Sequence, residues 1–259
     1  MTDRPHPGEL AEAARLAAAH RGAEAGHRQP GLSREPIVRR RLYLLRHAEV
    51  SYVAQGRLVR PDQAALTAAG EEQARALGAL LSKVRFDRVI VSGLPRTLET
   101  ARRVLAGRDA PAPESWPDFN ELRSGRLRDL APGALEDSLL GAFRGPAPES
   151  QRFLGGESVG ELFDRVLPAL QRLLDQPGWD CALLVLHGAV NRALISWALT
   201  SARNFLGHLE QSPGCLNILD HGGGWVVRTI NYRPADPLFL DGRGTTMEQL
   251  HEELRSAVP

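Results

Sequence analysis

Histidine follows a short apolar run at two places in the sequence. Residues 42–45 are followed by Arg46 and His47, and residues 183–186 are followed by His187. Continuous apolar runs of this length are typical of strands that helices cover on both faces of a parallel sheet. Ligands of such sheets bind outside the carboxyl ends of the strands. We therefore expect both imidazoles in a single ligand crevice.

A third apolar run leads to an arginine. Residues 88–92 end with Ser92, and Pro95, which suits the first turn of a helix, is followed by Arg96. Two arginines and two histidines at strand ends, together with the free N–H groups of helix N-termini, form a suitable site for a phosphate dianion. Guanidinium groups match phosphate oxygens in geometry as well as in charge. These residues therefore predict phosphate chemistry.

The imidazole of His47 is the best nucleophile in this set. A neutral imidazole can attack phosphorus at neutral pH, and the neighbouring Arg46 and Arg96 should lower its pKa by penalising the imidazolium form. The sequence has no Walker-type loop, no carboxylate cluster typical of a metal site and no reactive-cysteine loop. We therefore predict covalent catalysis by His47, with no metal ion and no organic cofactor.

The elements that must position these residues alternate along the chain. From residue 41 onward, apolar runs alternate with amphipathic stretches, which predicts an α/β fold with crossover helices on a mostly parallel sheet. The predicted strands cover residues 42–45, 88–92 and 181–186, and a late hairpin covers residues 215–219 and 225–230. The predicted helices cover about residues 67–83, 95–105, 158–174, 190–199 and 245–255.

Local signals set the ends of two of these helices. Thr67 can accept a hydrogen bond from the first turn of its helix. Ser158 and Glu161 have the spacing of a capping box. Pro168 lies inside the same predicted helix, so we expect a kink or a break there.

The composition is that of an ordinary soluble protein. The chain has 259 residues, of which 42% are hydrophobic and 24% are charged, values typical of folded globular domains. Lys and Arg number 32 against 31 for Asp and Glu, so no excess of positive charge is available to bind nucleic acid. No apolar run approaches the length of about 20 residues that crosses a bilayer, and no secretory signal is recognisable. We expect a cytoplasmic protein that binds neither nucleic acid nor membranes.

The composition changes near residue 40. Residues 1–40 are rich in Ala, Arg, Glu, Gly and Pro, with one helix-like stretch over residues 9–19. We predict an N-terminal extension over residues 1–40, partly helical or disordered, a catalytic domain over residues 41–232, and a C-terminal tail with a short helix over residues 233–259. Cys181 and Cys215 lie in apolar stretches without partners at metal-binding spacing, so we expect both in the core.

Several motifs occur in a fixed order along the catalytic domain. They are Arg46-His47-Ala48-Glu49, the segment from Leu66-Thr67 through Gly70 to Gln73-Ala74, the segment from Ser92 through Arg96 to Thr100-Ala101, Gly156-Glu157-Ser158, and His187-Gly188. This ordered set resembles the histidine phosphatase superfamily, the phosphoglycerate-mutase-like proteins. The resemblance spans about residues 42–232 and implies a three-layer sandwich, with helices on both faces of the central sheet.

The resemblance also implies roles for individual residues. It places Arg46, His47, Arg96 and His187 in a phosphate pocket, with His47 becoming phosphorylated and His187 holding the transferring group. Glu121 stands where the family carries its proton donor. A carboxyl group in this position would protonate the leaving oxygen and then take a proton from the attacking water, which is sensible because an alkoxide leaves poorly.

Other residues near these motifs have more than one interpretation. Gly188 permits close approach of the backbone to a substrate. Three further residues, Glu49, Glu157 and Asn191, could contact the substrate or serve only to order loops, and of these Glu49 is expected to bind the substrate. Arg96 could also serve only as a salt-bridge partner of a nearby glutamate.

The chain departs from the family pattern beside the signature. Val50 and Val53 occupy positions where many members have Thr and Asn, so two polar contacts near the phosphate are missing. Gly93 replaces a common Pro, and Gln63 occupies a place often held by Asp. The two valines predict a difference in substrate binding, and the changes at Gly93 and Gln63 predict a difference in loop geometry. The four central pocket residues are intact.

We therefore predict a metal-independent phosphomonoester hydrolase that acts on a small-molecule phosphate ester. A phosphoglycerate mutase is a second interpretation, disfavoured by Val53 and by the irregular, Pro- and Gly-rich composition of residues 124–152. A non-catalytic phosphate-binding module is a third interpretation, disfavoured because a binder would not need Glu121. The identity of the ester and the oligomeric state stay open.

Overall fold

The computed structural model describes residues 38–54, 57–60, 62–240 and 242–257. The helical stretch predicted over residues 9–19 lies outside these ranges. The predicted domain boundaries at residues 40 and 232 stay predictions. No helix within the described ranges is long and apolar enough to cross a membrane.

Strands and helices alternate in the first two thirds of the described chain. The strands are β1 (Arg40–Arg46), β2 (Val53–Ala54), β3 (Arg57–Leu58), β4 (Arg88–Val91), β5 (Glu114–Ser115), β6 (Pro146–Ala147), β7 (Cys181–Leu186), β8 (Phe205–Leu206), β9 (Leu216–His221) and β10 (Trp225–Tyr232). The helices are α1 (Ala68–Leu80), α2 (Pro95–Val104), α3 (Leu135–Leu140), α4 (Val159–Asp175), α5 (Gly188–Thr200) and α6 (Thr246–Ala257), with short 3-10 turns at Pro117–Phe119 and Leu127–Asp129.

A six-stranded sheet forms the centre of the described structure, in the order β10-β9-β1-β7-β4-β5. Strands β1, β7, β4 and β5 are parallel. Strand β9 is antiparallel to β1, and β10 is antiparallel to β9, as the predicted late hairpin requires. The predicted α/β class with a mostly parallel sheet is confirmed.

Helices cover both faces of the sheet because successive side chains of β1 point to opposite sides. Leu42 and Leu44 pack in a core that includes residues of α4 and α5. Tyr43 and Leu45 pack on the other face, in a core that includes residues of α1 and α2. Burial on both faces explains why β1 is apolar at every central position, and each buried leucine contributes about 1.5–3 kcal/mol. The result is the predicted three-layer sandwich.

The predicted helix starts are confirmed at two caps. The Thr67 hydroxyl accepts a hydrogen bond from Gly70 N at 3.0 Å. Ser158 Oγ accepts from Glu161 N, and a Glu161 carboxylate oxygen accepts from Ser158 N, which completes the capping box. Helix α5 begins at Gly188, two residues before the predicted start.

Helix α4 does not break at Pro168. It runs from Val159 to Asp175 without interruption. Proline removes the hydrogen bond to the carbonyl of Asp164, but both residues lie on the exposed side, where water can bind that carbonyl. Packing of the opposite side, including Val166 and Leu170, holds the helix together.

The segment over residues 124–152 is more ordered than its composition predicted. It contains the turn Leu127–Asp129, helix α3 and strand β6. Leu139 and Leu140 of α3 pack with Leu154 and with Leu254 of α6 in a small separate core. A distant helix supplies these contacts, so local composition could not indicate the order. Of the two cysteines, Cys215 is buried as predicted, whereas Cys181 is only half-buried.

Candidate active site

Three neighbouring strands end level with one another at one edge of the sheet. Arg46 of β1 lies opposite Leu186 of β7, and Val91 of β4 lies opposite Val185 of β7. The next residues in the chain are therefore placed side by side, as predicted for parallel strands. This register brings His47, His187 and Ser92 together.

The ring of His47 is buried, and the carbonyl group of the next residue fixes its orientation. The side chain is 2% exposed, and its Nδ1 lies 2.8 Å from the carbonyl oxygen of Ala48. Because a carbonyl can only accept, Nδ1 carries the proton and Nε2 keeps its lone pair. Arg96 Nε donates to this Nε2 at 3.2 Å. The free lone pair of this ring is therefore on Nε2, and it faces a guanidinium.

The ring of His187 is held in the opposite tautomer. It is fully buried, and its centroid lies 5.3 Å from that of His47. Arg96 Nη2 lies 3.3 Å from Nδ1 of His187, and a guanidinium can only donate. Nε2 therefore carries the proton and donates to Ser92 Oγ at 2.8 Å. Ser92 lies 3.2 Å from Thr97 Oγ1, which fixes its hydroxyl in turn.

Arg96 bridges the two imidazoles from the start of α2. The turn from β4 to this helix passes through Gly93, whose φ of +97° favours glycine. Pro95 is the first residue of the helix, as predicted, and Arg96 is 2% exposed. Its guanidinium contacts both histidines, as the interpretation of Arg96 as a site residue requires.

Arg46 lies on the other side of the site, and its partners are few. Its Nη1 donates to the carbonyl oxygen of Gln211, and its buried Nε has no hydrogen-bond partner among the described residues. A Cβ atom at Gly188 would lie 3.1 Å from Arg192 Nη1 and 3.6 Å from Arg46 Nε. Glycine at this position therefore leaves room for two guanidinium groups at the start of α5.

Burial and the nearby arginines both lower the pKa of the two histidines. For His47, burial has the largest effect, followed by the charges of Arg96 and Arg46. For His187, burial is again first, followed by Arg96, His47 and Arg46. Both pKa values fall well below 6.5, so both rings are neutral at pH 7. The arginine effect was predicted from the sequence, whereas the larger burial effect was not.

These low pKa values predict how stability depends on pH. The unfolded chain titrates its histidines near pH 6.5, so it binds more protons than the folded protein below that value. The free energy of unfolding should therefore fall as the pH is lowered from about 7 to 5, by up to about 1.4 kcal/mol per pH unit for each such histidine. Urea unfolding of a His187→Asn variant should show a smaller slope with pH. The exposed His208, replaced by asparagine, serves as the control, and an unchanged slope in the His187 variant would contradict the lowered pKa.

Glu121 lies at the N-terminus of the helix that follows His187. Its half-buried carboxylate accepts hydrogen bonds from Leu122 N at 2.8 Å and from Ala189 N at 3.2 Å. Ala189 is the second residue of α5, and His187 is the N-cap of that helix. The structure therefore brings Glu121 and His187 to the same helix terminus.

The residues with two interpretations differ in their contacts. Glu49 accepts a hydrogen bond from Thr67 Oγ1 at 2.6 Å, and its N–H donates to Gln73 Oε1, so it orders the start of α1. Glu157 forms an ion pair with Arg165. The side chain of Asn191 is fully buried and has no hydrogen-bond partner in the described part of the chain.

Sequence reasoning gave no specific role to several residues that support the site. Ser92 fixes the tautomer of His187, Thr100 Oγ1 accepts from Ala48 N at 3.0 Å, and Gln211 provides the carbonyl for Arg46. Ser92 and Thr100 lie within a recognised motif, so their positions were a usable signal. Gln211 acts through its backbone, and no sequence pattern marks it.

Comparison with known proteins agrees with this geometry. Residues 42–233 match the family model of the histidine phosphatase superfamily, branch 1. A probable phosphoglycerate mutase of Serratia proteamaculans is 31% identical over 205 residues, which cover 73% of this chain and 91% of the relative. The structure of an α-ribazole phosphatase from Shigella flexneri matches with a TM-score of 0.60 and 28% identity, over 74% of this chain and 96% of the other.

A more distant structure shows the same fold. A mycobacterial glucosyl-3-phosphoglycerate phosphatase matches with a TM-score of 0.60 and 22% identity, over 74% of this chain and 98% of the other. The family match covers most of the chain and includes five strands of the central sheet in full and β1 from Leu42 onward. The chain belongs to the histidine phosphatase superfamily, branch 1.

Proposed function

We propose that this protein hydrolyses phosphate monoesters through a phosphohistidine on His47, without a metal ion. The observation that carries the proposal is the bridge from Arg96 to both neutral imidazoles at the end of a buried strand. The oxygens of a phosphoryl group that enters between these side chains would accept hydrogen bonds from the N–H groups of Arg96 and Arg46. His47 Nε2 would then be in line with the phosphorus atom.

The proposed reaction has two steps. In the first step, the lone pair of His47 Nε2 forms a bond to phosphorus, the ester P–O bond breaks, and the leaving oxygen takes a proton from Glu121. In the second step, water attacks phosphorus and gives a proton to Glu121 while the P–N bond breaks and phosphate leaves. Positively charged and N–H groups stabilise the charge on the phosphoryl oxygens in both steps.

Two observations support Glu121 as the acid and base. Its carboxylate is anchored beside the N-cap histidine of α5 through Ala189 N. It is also only half-buried, so water can reach it for the second step. Its position next to His187 is the one that a proton donor to the leaving oxygen would need.

A phosphoglycerate mutase is the second candidate, because a relative that matches most of this chain is a probable phosphoglycerate mutase. Val53 favours hydrolysis, since it stands where the mutase-like pattern has Asn. Incubation of the protein with 3-phosphoglycerate and a bisphosphoglycerate primer separates the two. Release of inorganic phosphate without the isomer supports hydrolysis, and formation of 2-phosphoglycerate supports the mutase.

The hydrolase proposal predicts activity in excess chelator and a trapped phosphoenzyme. We expect p-nitrophenyl phosphate to be hydrolysed at an unchanged rate after exhaustive treatment with EDTA. We also expect brief mixing with a radiolabelled phosphate ester, followed by denaturation in alkali, to leave label on the protein. A phosphohistidine is stable in alkali and labile in acid, whereas a phosphoserine is not labile in acid. Activity that disappears with chelator, or label that survives acid, would contradict the proposal.

A further inference from the structure

The segment that carries Glu121 is held by an ion pair that lies outside the phosphate pocket. Arg165 is on α4, and Glu157 precedes that helix by two residues. Arg165 Nε lies 2.6 Å from Glu157 Oε1, and Arg165 Nη2 lies 2.8 Å from Glu157 Oε2. The side chains are 12% and 5% exposed. This is a bidentate and nearly buried pair.

The remaining donors of Arg165 bind the backbone just before the acid and at the acid itself. Its Nη1 donates to the carbonyl oxygens of Asp118 and Asn120, each at 2.7 Å, and its Nη2 donates to that of Glu121 at 3.2 Å. A guanidinium has five N–H donors in a rigid plane. The three contacts with backbone carbonyl groups and the two with Glu157 use all five. The geometry is therefore specific to arginine.

Glu157 holds the other end of the same segment. Its Oε2 accepts a hydrogen bond from Arg123 N at 2.9 Å, and its own N–H donates to the Arg123 carbonyl oxygen at 2.8 Å. Two glycines allow this close approach, because a Cβ atom at Gly156 would lie 2.3 Å from the Arg123 carbonyl oxygen and one at Gly125 would lie 2.5 Å from that of Leu154. The backbone is thus fixed both before and after Glu121.

A buried ion pair is a poor source of stability, because the desolvation of two charges offsets their attraction. Burial alone would raise the pKa of Glu157, but the hydrogen bonds from Arg165 and Arg123 N keep it below its usual value. The carboxylate is therefore charged at neutral pH and stays paired. Such a pair is more useful for fixing one geometry than for stabilising the fold.

We infer that Arg165 and Glu157 are positioning residues for the acid step, and that they keep the Glu121 carboxylate at the N-terminus of α5. This inference rests on the proposed function, in which Glu121 protonates the leaving oxygen. The hydrogen bonds of both side chains go to each other and to the segment that carries Glu121, and none goes to His47 or His187. The charge of Arg165 is the last of the causes that lower the pKa of His187, so the main effect of this pair on the reaction should pass through Glu121.

The experiment uses two esters that differ in their need for an acid. The alkoxide of glycerol 2-phosphate leaves poorly without a proton, whereas p-nitrophenolate leaves readily. Arg165→Gln should lower kcat/KM for glycerol 2-phosphate by about 10²-fold, the usual contribution of a general acid, and that for p-nitrophenyl phosphate by less than about fivefold. The parameter kcat/KM is used because it reports the first phosphoryl transfer and excludes hydrolysis of the phosphoenzyme.

The same assay on Glu121 variants separates this inference from the proposed function. Glu121→Gln alone should show the same selective loss on glycerol 2-phosphate. In the Glu121→Gln background, Arg165→Gln should add no further selective loss, because the group that it positions is gone. If Glu121→Gln affects both esters equally, the proposed acid is wrong. If Glu121→Gln is selective but Arg165→Gln lowers kcat/KM equally for both esters, the positioning role is wrong.

Three further variants keep the test decisive. Arg172→Gln is the matched control, because Arg172 lies on the same helix and binds the same segment through the Asp118 carboxylate at 2.7 Å, but is half exposed. It should leave both rates unchanged. Glu157→Gln and Arg165→Lys keep more of the local structure if Arg165→Gln does not fold. Both variants should lower kcat/KM selectively for glycerol 2-phosphate. An equal loss of kcat/KM on the two esters, in each of these variants, would overturn the inference.

Discussion

Replacement of His47 by asparagine is expected to lower kcat/KM for p-nitrophenyl phosphate by about 10⁴-fold or more. Asparagine fits the space of the ring and can donate an N–H group to the Ala48 carbonyl oxygen, as His47 Nδ1 does. It has no lone pair that can form a bond to phosphorus. The remaining activity would come from the arginines alone, which bind the ester without a nucleophile.

Two further measurements on the His47 variant strengthen the test. Label from a radioactive ester should no longer remain on the denatured protein. The far-UV circular dichroism should match that of the unchanged protein, which excludes loss of fold. His208→Asn is the matched control, because His208 is exposed and should leave the rate unchanged. Retention of a tenth of the activity by the His47 variant would remove this residue as the nucleophile.

Replacement of Arg96 by methionine is expected to have the next largest effect. Methionine fills much of the buried space but cannot donate hydrogen bonds, so the phosphoryl group loses its central clamp. We expect kcat/KM to fall by about 10³-fold, as when an essential oxyanion donor is removed. Both histidines lose their Arg96 contact in this variant.

The Arg96 variant should also have a different pH profile. The charge of Arg96 is one of the causes of the low pKa of His47, after burial. Removing that charge raises the pKa, so a larger fraction of His47 is protonated at a given acidic pH. The acidic limb of kcat/KM should therefore move to higher pH, towards about 6.5.

A matched variant controls for a change of charge on the same helix. Arg103 also lies on α2, where it pairs with Glu71 and Glu99, and Arg103→Gln should leave both the rate and the acidic limb in place. An acidic limb that stays in place in the Arg96 variant, or moves to lower pH, would show that Arg96 does not set the charge state of His47.

The sequence could predict those site residues that lie directly after a buried strand. Strands β1, β4 and β7 are apolar because helices cover both faces, and polar residues begin where each strand leaves the core. Three such transitions, ending at His47, Ser92 and His187, were enough to predict one crevice. The resemblance added Glu121, which follows no strand of this set.

The parts that could not be predicted depend on contacts between distant segments. Arg165 binds backbone carbonyl groups, which carry no sequence signal, in a segment 44 residues away or more. The dominance of burial in lowering the histidine pKa values depends on how closely the helices pack over the rings. The helix continues through Pro168 because the proline lies in an exposed position that tolerates it, which local rules do not include.

The opposite tautomers of the two rings have a consequence for the movement of protons. Ala48 offers His47 only an acceptor, and Arg96 offers His187 only a donor, so neither ring can exchange its N–H for its lone pair without losing a partner. Both rings are thus preorganised before the ester arrives, and no internal proton transfer has to precede attack. In the proposed reaction, a single proton is in transit at each step, and its route runs between Glu121 and the departing or arriving oxygen. A proton inventory in mixed light and heavy water would accordingly be linear.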